Sequence, residues 1–223
     1  MIGFSIGLVF VIFFFQNRGC AWLPGNRVKL TINDKVWVIT DSEKEKFNRH
    51  GIGRKEIMEV ISEGKVNFPK SIKKQNTYPK AYIIEHNLEN ENVRLQFSLF
   101  EDSYITLIHK LEDEQEAFKA DSLDEMGTFI RLPRDSALVF IDKSDYARCT
   151  ARFLSNKNQK VLVEALENSG RIDLKKSDLT LSKAVQYLHF SIGDSINVEA
   201  KSIFLESRIN FKAFFWEDIE PDC

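Results

Sequence analysis

The residues of this sequence that could carry out chemistry are histidines and basic residues in its first half. Cleavage of RNA needs a general base, a general acid and a cation that stabilises charge on the phosphate. The candidate catalytic residues for such a reaction are His86, His109 and Arg94, with His50 and Lys70 as further groups of the required types. His86 and His109 fall on predicted neighbouring strands and could meet if the strand register allows it. The alternative interpretation is that each is an ordinary half-exposed strand residue.

A run of lysines with interleaved tyrosines is a second candidate feature. Five lysines and no acid lie between Gly64 and Ile84, together with Tyr78 and Tyr82. Positive charge beside aromatic rings is typical of a surface that contacts phosphate or RNA. The stretch from Glu85 to Glu125 is strongly acidic and would repel a nucleic acid that lay across both, so a solvated lysine-rich loop is the simpler interpretation.

Motifs for the common enzyme and metal sites are absent from the sequence. It has no nucleophile elbow, P-loop, zinc-protease helix or dinucleotide fingerprint. Cys20, Cys149 and Cys223 are far apart, and no histidine has a cysteine or second histidine at zinc-ligand spacing. We therefore predict no cofactor, no metal site and no disulfide framework. Three reduced thiols favour a cytosolic location for the folded body.

The composition indicates one or two compact domains. Of the 223 residues, 43% are hydrophobic and 29% are charged, which excludes a disordered chain. The 31 basic residues nearly balance the 33 acidic residues, so the net charge favours neither nucleic acid nor an anionic membrane as a partner.

The N-terminal segment is uncharged and apolar, which predicts a transmembrane anchor at residues 1–22. A helix over Met1–Phe15 covers about 22 Å, and the following residues to Trp22 extend it to the headgroup region. A cleaved signal peptide or lipoprotein signal is the main alternative, although no basic segment precedes the run and no small-residue cleavage site follows it. A buried core helix is a weaker alternative. Positive charge follows the run, so we expect a single-pass protein of the inner (plasma) membrane with a cytoplasmic body.

The remaining sequence contains an internal repeat. The segment from Ile57 to Ser71 matches the segment from Leu162 to Ser177, and blocks on either side match at an offset of about 105 residues. Four matches in the same order indicate a duplication. The first copy spans residues 28–116, and a degenerate second copy spans residues 130–221.

Each copy has the same predicted order of elements. A short strand leads to a helix that ends at a glycine, and further strands follow with turn-like links that favour antiparallel pairing. The predicted fold class is α+β, with two tandem modules, each a helix packed on a small antiparallel sheet, after an N-terminal transmembrane helix. The alignment predicts equivalent positions for Glu59 and Glu164, and for Lys70 and Lys176.

Several short motifs follow one another between Asp41 and Leu111. They are Gly51-Ile52, Glu56-Ile57, Gly64-Lys65-Val66, Lys70-Ser71, Pro79-Lys80-Ala81-Tyr82, Glu85 and Val93-Arg94-Leu95. In this order they resemble the family of unknown function DUF4258, and the segment from Cys20 to Val28 resembles bacterial membrane-anchored members of that family. Many relatives carry a histidine early in the first helix and paired cysteines, which this chain lacks.

The resemblance implies a set of candidate binding residues, namely the polar residues of these motifs: Lys70, Ser71, Lys80, Tyr82, Glu85 and Arg94. The family is thought similar in fold to small RNA-cleaving toxins of the RelE kind, which is a fold-level analogy. The second copy departs further from the pattern, because Glu199 stands where the first copy has Arg94.

Two functions are compatible with these features. We expect a membrane-anchored protein with tandem non-catalytic binding or scaffold modules, because the second copy is degenerate and no full catalytic set is present. Its expected partners are the membrane, through the N-terminal helix, and another protein. The alternative is a RelE-like toxin-type ribonuclease with activity in the first module, which would also bind RNA.

A reporter fusion tests the predicted orientation. An enzyme that is active only outside the cytoplasm, fused after Cys223, should be inactive in cells and should remain in the membrane fraction. A fluorescent protein that matures in the cytoplasm serves as the matched fusion and should be bright. Activity of the first reporter would contradict the predicted orientation.

Overall fold

Short hydrophobic stretches become the strands of one sheet in the computed structural model, which describes residues 23–72, 79–88, 91–112, 123–133, 138–141, 159–181, 183–193, 196–206 and 208–216. Within these ranges the fold is α+β, as predicted, with four helices and a mixed sheet of 11 strands. No helix in these ranges is long and apolar enough to cross a membrane. The anchor predicted for residues 1–22 lies outside them.

The two halves of the chain contribute similar elements. In the first half they are α1 (Pro24–Asn33), β1 (Val36–Thr40), α2 (Asp41–Arg49), α3 (Arg54–Glu63), β2 (Lys65–Val66), β3 (Lys80–Leu88), β4 (Glu91–Leu99) and β5 (Ile105–Lys110). In the second half they are β6 (Met126–Arg131), β7 (Leu138–Ile141), α4 (Gln159–Ser169), β8 (Arg171–Asp173), β9 (Gln186–Ile192), β10 (Ile196–Leu205) and β11 (Arg208–Trp216).

The sheet has the strand order β2-β3-β4-β5-β1-β6-β8-β9-β10-β11-β7. It differs from the expected pair of small antiparallel sheets in two respects. There is one sheet, because β6 pairs antiparallel with both β1 and β8. The sheet is also mixed, since β1 lies parallel to β5 and β7 lies parallel to β11. Parallel neighbours need a long connection, and α2, α3 and the intervening strands supply it in the first half.

The order of strands is the same on both sides of β6. The first half reads β2-β3-β4-β5-β1 and the second half reads β8-β9-β10-β11-β7, with the same parallel and antiparallel relations. Because β1 and β8 both run antiparallel to β6, each strand of the second half runs opposite to its counterpart. A unit with the same strand order, the same handedness and reversed strands is turned over relative to the first unit. The helices of the two halves must therefore lie on opposite faces of the sheet.

The side chains of β1 contribute to both hydrophobic cores. Successive strand residues point to opposite faces. Trp37 belongs to the cluster that contains the buried face of α3. Its neighbours Val36 and Val38 belong to the other cluster, which contains Leu162 and Leu166 of α4. Helices α3 and α4 therefore cover opposite faces, and the α4 cluster draws residues from both halves.

Gly64 and Gly170 end helices α3 and α4, as the sequence predicts. A Cβ atom at Gly64 would lie 2.3 Å from the carbonyl oxygen of Val60, and one at Gly170 would lie 2.2 Å from that of Leu166. Each glycine also donates its N–H to the same carbonyl, at 2.9 Å in both cases. Close backbone approach therefore requires glycine at both helix ends.

Aligning the two halves at these glycines changes one of the predicted pairs of equivalent residues. Counting back from each glycine, Glu59 corresponds to Ala165, one residue away from the predicted Glu164. The side chain of Glu59 is 42% exposed, whereas Ala165 is buried. The acidic residue is thus a feature of the first half only.

The turn after β2 recurs after β8. In the first half, the Lys70 amide donates to the Asn67 side chain at 3.2 Å, and the Ile83 amide donates to the Ser71 hydroxyl at 3.1 Å. In the second half, the Lys176 amide donates to the Asp173 side chain. The Tyr187 amide donates to the Ser177 hydroxyl. A side-chain oxygen that closes such a turn replaces a backbone partner.

Replacement of Phe129 by alanine tests how strongly β6 joins the halves. Phe129 is 4% exposed, and its ring packs edge-on against Phe204 at 6.0 Å between centroids. Phe129→Ala should lower the free energy of unfolding by about 3–5 kcal/mol because it leaves a cavity. Phe215→Ala, at a residue that is 38% exposed, is the matched control and should cost less than about 1 kcal/mol. Equal losses in chemical denaturation would contradict this role for Phe129.

Candidate functional site

A cleft of about 470 Å³ lies beside α3, near the end of β3 and the start of β4. Its apolar lining comes from Ile52, Leu88 and Val93, and its polar lining from His50, Lys55, Glu56, Glu59 and Glu91. A concave surface with an apolar part and a few polar groups is the usual form of a binding site. The cleft is therefore the candidate functional site.

The connection between α2 and α3 forms one wall of the cleft. Gly51 has a φ angle of +64°, which favours glycine, and it lets the chain turn sharply into α3. The Glu56 carboxylate accepts a hydrogen bond from the Gly53 N–H at 2.8 Å and so caps the helix. Hydrogen bonds from its own amide and from Gly53 lower the pKa of Glu56. Glu56 thus contributes a negative charge to this wall, beside the positive charge of Lys55.

His50 and Glu91, which also line the cleft, belong to a network of polar contacts that extends beyond it. His50 Nδ1 is 3.3 Å from a Glu91 carboxylate oxygen, and His50 Nε2 is 3.6 Å from an oxygen of Glu112. The same Glu91 oxygen is 3.3 Å from Lys110 Nζ. His50 uses different ring nitrogens for its two partners, so it bridges them. This histidine therefore holds β4 and the end of β5 to α2.

A second cluster shares Glu59 with the cleft. His86 of β3 places its Nε2 atom 3.5 Å from Glu59 Oε1 and 3.9 Å from Glu63 Oε2. One ligand atom from each of the three residues lies within 4.8 Å of the other two. No metal site is predicted from the sequence, because these ligands are not all close together in the chain. Here strand β3 brings a distant histidine to two acids that are four residues apart on α3.

The structure does not bring the predicted catalytic histidines together. His86 pairs with Val93, whereas His109 pairs with Gln96 on the same strand β4. Residues an odd number apart on a strand point to opposite faces, so His86 lies on the α3 face and His109 on the other. Arg94 shares the face of His109. The set of His86, His109 and Arg94 is therefore not assembled as one site.

His109 takes part in a buried ion pair instead. Its side chain is 10% exposed, and its Nδ1 atom is 3.6 Å from Glu43 on α2. Burial alone would raise the pKa of Glu43, but hydrogen bonds from His109, Lys46 and the Lys110 amide, with the charge of His109, lower it to about 2. This cluster joins α2 to β5 and is held away from solvent.

Four of the six predicted binding residues come together at the β2–β3–β4 edge. Lys70 Nζ lies 3.8 Å from Glu85, which also accepts a hydrogen bond from the Asn67 side chain at 2.9 Å. Glu85 lies directly across from Arg94, and the Ser71 hydroxyl bonds the backbone of β3. These contacts maintain the turn after β2 and the pairing of the strands. The other two residues, Lys80 and Tyr82, lie on the α3 face, where Tyr82 packs against the core.

The second half carries different chemistry at the corresponding positions. Arg171, His189 and Glu199 are neighbours across β8, β9 and β10. Lys176 Nζ is 3.7 Å from Glu199, and Arg171 forms an ion pair with Asp41 at the start of α2. The first-half row is Lys65, Glu85 and Arg94. In the first row, the acidic Glu85 lies between Lys65 and Arg94. In the second row, the acidic Glu199 lies at one end.

No family model matches the chain, and neither a curated protein nor a solved structure matches it. The resemblance to DUF4258 therefore remains a prediction carried by the sequence motifs.

Replacement of Glu43 by glutamine tests the buried pair with His109. The folded protein holds the pKa of Glu43 at about 2, below its ordinary value of 4.5, so it favours the ionised carboxylate. Its contribution to stability is complete above pH 4.5 and is lost as the pH falls towards 2. Glu43→Gln should therefore lower the free energy of unfolding by about 2 kcal/mol at pH 7, and by progressively less below pH 4.5.

Denaturant unfolding at several pH values measures this difference. Glu45→Gln, at an exposed position on the same helix, is the control and should change the free energy of unfolding by less than about 0.5 kcal/mol at any pH. A loss for Glu43→Gln that does not depend on pH would contradict the assigned charge.

Proposed function

We propose that this protein is a membrane-tethered, non-catalytic binding protein made of two copies of one α+β module. The copies are residues 28–116 and 130–221, and the tether is residues 1–22. The observation that supports this most is the contrast between the halves. Strand order, helix-ending glycines and the turn after the second strand recur, whereas the polar rows at equivalent positions have different charges. The recurring features are those that maintain the fold, whereas the charges of the polar side chains differ between the halves.

The positions of the candidate catalytic groups also favour binding over catalysis. A general base and a general acid must both lie within hydrogen-bond distance of the reacting atoms of one substrate. His86 and His109 lie on opposite faces of the sheet, and His109 is nearly buried beside Glu43. The Ser71 hydroxyl is occupied by backbone contacts. His109 and Ser71 therefore serve the fold in the described part of the chain.

The proposed ligand of the cleft beside α3 is a segment of a partner protein with basic and aliphatic side chains. Ile52, Leu88 and Val93 offer an apolar surface for aliphatic groups. Glu56 and Glu59 flank it with negative charge, which favours lysine or arginine on the ligand.

The second module does not repeat the chemistry of this cleft. Glu59 and His86 of the first half correspond to Ala165 and Phe190 of the second, which are buried and apolar. The α4 cluster of the second half also packs against Val38 of β1. The second module is thus proposed to stabilise the first and to leave recognition to it.

The tether would enter the body at α1. Ile32 of α1 is fully buried in the α3 cluster, and Val28 packs against the same cluster. Lys29 Nζ donates to the Ser62 carbonyl oxygen at 3.1 Å, which joins α1 to the last turn of α3. Any membrane attachment before α1 would therefore be joined through α1 to α3, the helix beside the cleft.

A peptide selection on the full chain tests the proposed ligand class. A displayed library of random peptides should become enriched in lysine or arginine beside aliphatic residues. Leu88→Asp should weaken binding of an enriched synthetic peptide by at least about tenfold, because it places a charge in the apolar lining. Ile192→Asp, at the corresponding end of β9, is the matched control and should leave the affinity unchanged.

The same preparation separates binding from catalysis. Incubation with RNA should give no cleavage products. RNA cleavage that Arg94→Ala abolishes would contradict the proposal and support the ribonuclease alternative. Equal peptide affinity for wild type and Leu88→Asp would contradict the assignment of the cleft.

A further inference from the structure

We propose that Glu59, Glu63 and His86 form a binding site for a divalent transition-metal ion, with Zn²⁺ as the ion of best fit. Two carboxylates from α3 and one imidazole from β3 converge at this point, which adjoins the cleft through Glu59. The inference is independent of the proposed peptide binding, since metal affinity is measured without a partner.

The spacing of the three ligand atoms is slightly wider than that around a single small ion. Bonds of about 2.0–2.1 Å in a tetrahedral site place ligand atoms about 3.3–3.5 Å apart. His86 Nε2 lies 3.5 Å from Glu59 Oε1 and 3.9 Å from Glu63 Oε2. The ligand atoms of Glu59 and Glu63 lie within 4.8 Å of each other. Rotation of the two glutamate side chains would bring all three atoms to bonding distance.

The backbone already fixes the elements that carry the three ligands. Residues four apart on a helix share one face, so Glu59 and Glu63 project side by side. The rotation of α3 is set by its buried residues Ile57, Val60 and Ile61. The pairing of β3 with β4 sets the face on which His86 lies. The site would therefore need no rearrangement of the main chain.

The fold itself does not need this trio. Two carboxylates at this spacing on a helix repel each other, and a cation between them would offset the repulsion. At the corresponding positions the second half has Ala165, Ser169 and Phe190, none of which would ligate zinc, in the same helix and strand. The same scaffold thus forms with and without the ligand set, which separates the trio from the requirements of folding.

The ligand types select the class of metal. One imidazole nitrogen with two carboxylate oxygens suits Zn²⁺ and related transition metals, whereas Mg²⁺ and Ca²⁺ prefer sites made of oxygen atoms alone. Three protein ligands leave a fourth position for water or for a group from a bound molecule. The side chain of Glu63 is 67% exposed, so solvent reaches this position.

Calorimetric titration of the full chain in detergent with Zn²⁺ alone tests the site. Replacement of the three cysteines by serine in every sample removes competing thiols. The parent should bind one Zn²⁺ per chain. His86→Phe, which copies the second half, and Glu63→Gln should each weaken the affinity by at least about tenfold. His189→Gln, at a histidine that neighbours one glutamate, is the control and should bind Zn²⁺ as the parent does.

Thermal unfolding distinguishes loss of the site from loss of the fold. Without metal, His86→Phe should unfold at or above the temperature of the parent, because the second half accommodates Phe190 at this position. Zn²⁺ should raise the unfolding temperature of the parent but not of His86→Phe. Failure of the parent to bind Zn²⁺, or equal affinity in the His86 and Glu63 variants, would overturn the proposal. Equal stabilisation by Mg²⁺ would overturn the assignment of a transition metal.

Discussion

The structure depends on strand β1, all five residues of which are buried. Its backbone pairs with β5 on one side and with β6 on the other, so neither edge is open. Its side chains alternate between the α3 cluster and the α4 cluster. A polar residue at Val36, Trp37 or Val38 would therefore damage one of the two cores, because neither face of this strand meets solvent.

This constraint explains how one chain can repeat a scaffold without repeating a site. The two halves share a sheet, and their helices cover opposite faces. Equivalent positions in the two halves therefore have different neighbours. In the first half, α3 and β3 leave a cleft with charged walls. In the second half, the positions that correspond to Glu59 and His86 are Ala165 and Phe190, which belong to the core. In the function proposed above, stability and recognition would therefore depend on different halves of the chain.

Local features of the fold could be predicted from the sequence, because they depend on neighbouring residues. The apolar spacing of Ile57, Val60 and Ile61 indicated α3, and Gly64 marked its end. The short apolar run Leu138–Ile141 indicated β7. Long-range pairing could not be predicted in this way. Nothing in the residues of β6 specifies that it lies between β1 and β8 and so merges two expected sheets into one.

The candidate sites depended on register, which sequence patterns leave open. A shift of one residue between β4 and β5 would move His109 to the face of His86, because alternate residues point to opposite faces. The trio of Glu59, Glu63 and His86 likewise exists only because β3 lies under α3. The candidate binding residues Lys70, Ser71 and Glu85 lie together in the structure, in contacts that maintain a turn.

The central claim is that the two halves, joined through β1 and β6, unfold as one cooperative unit. Native-state hydrogen exchange of the full chain in increasing denaturant tests this claim most directly. The account predicts that the amides of these two strands, and of the buried strands β4 and β10 on either side, all exchange through one global unfolding event with one free energy. Loss of protection in β8–β11 at a lower denaturant concentration, with β1–β5 still protected, would contradict it.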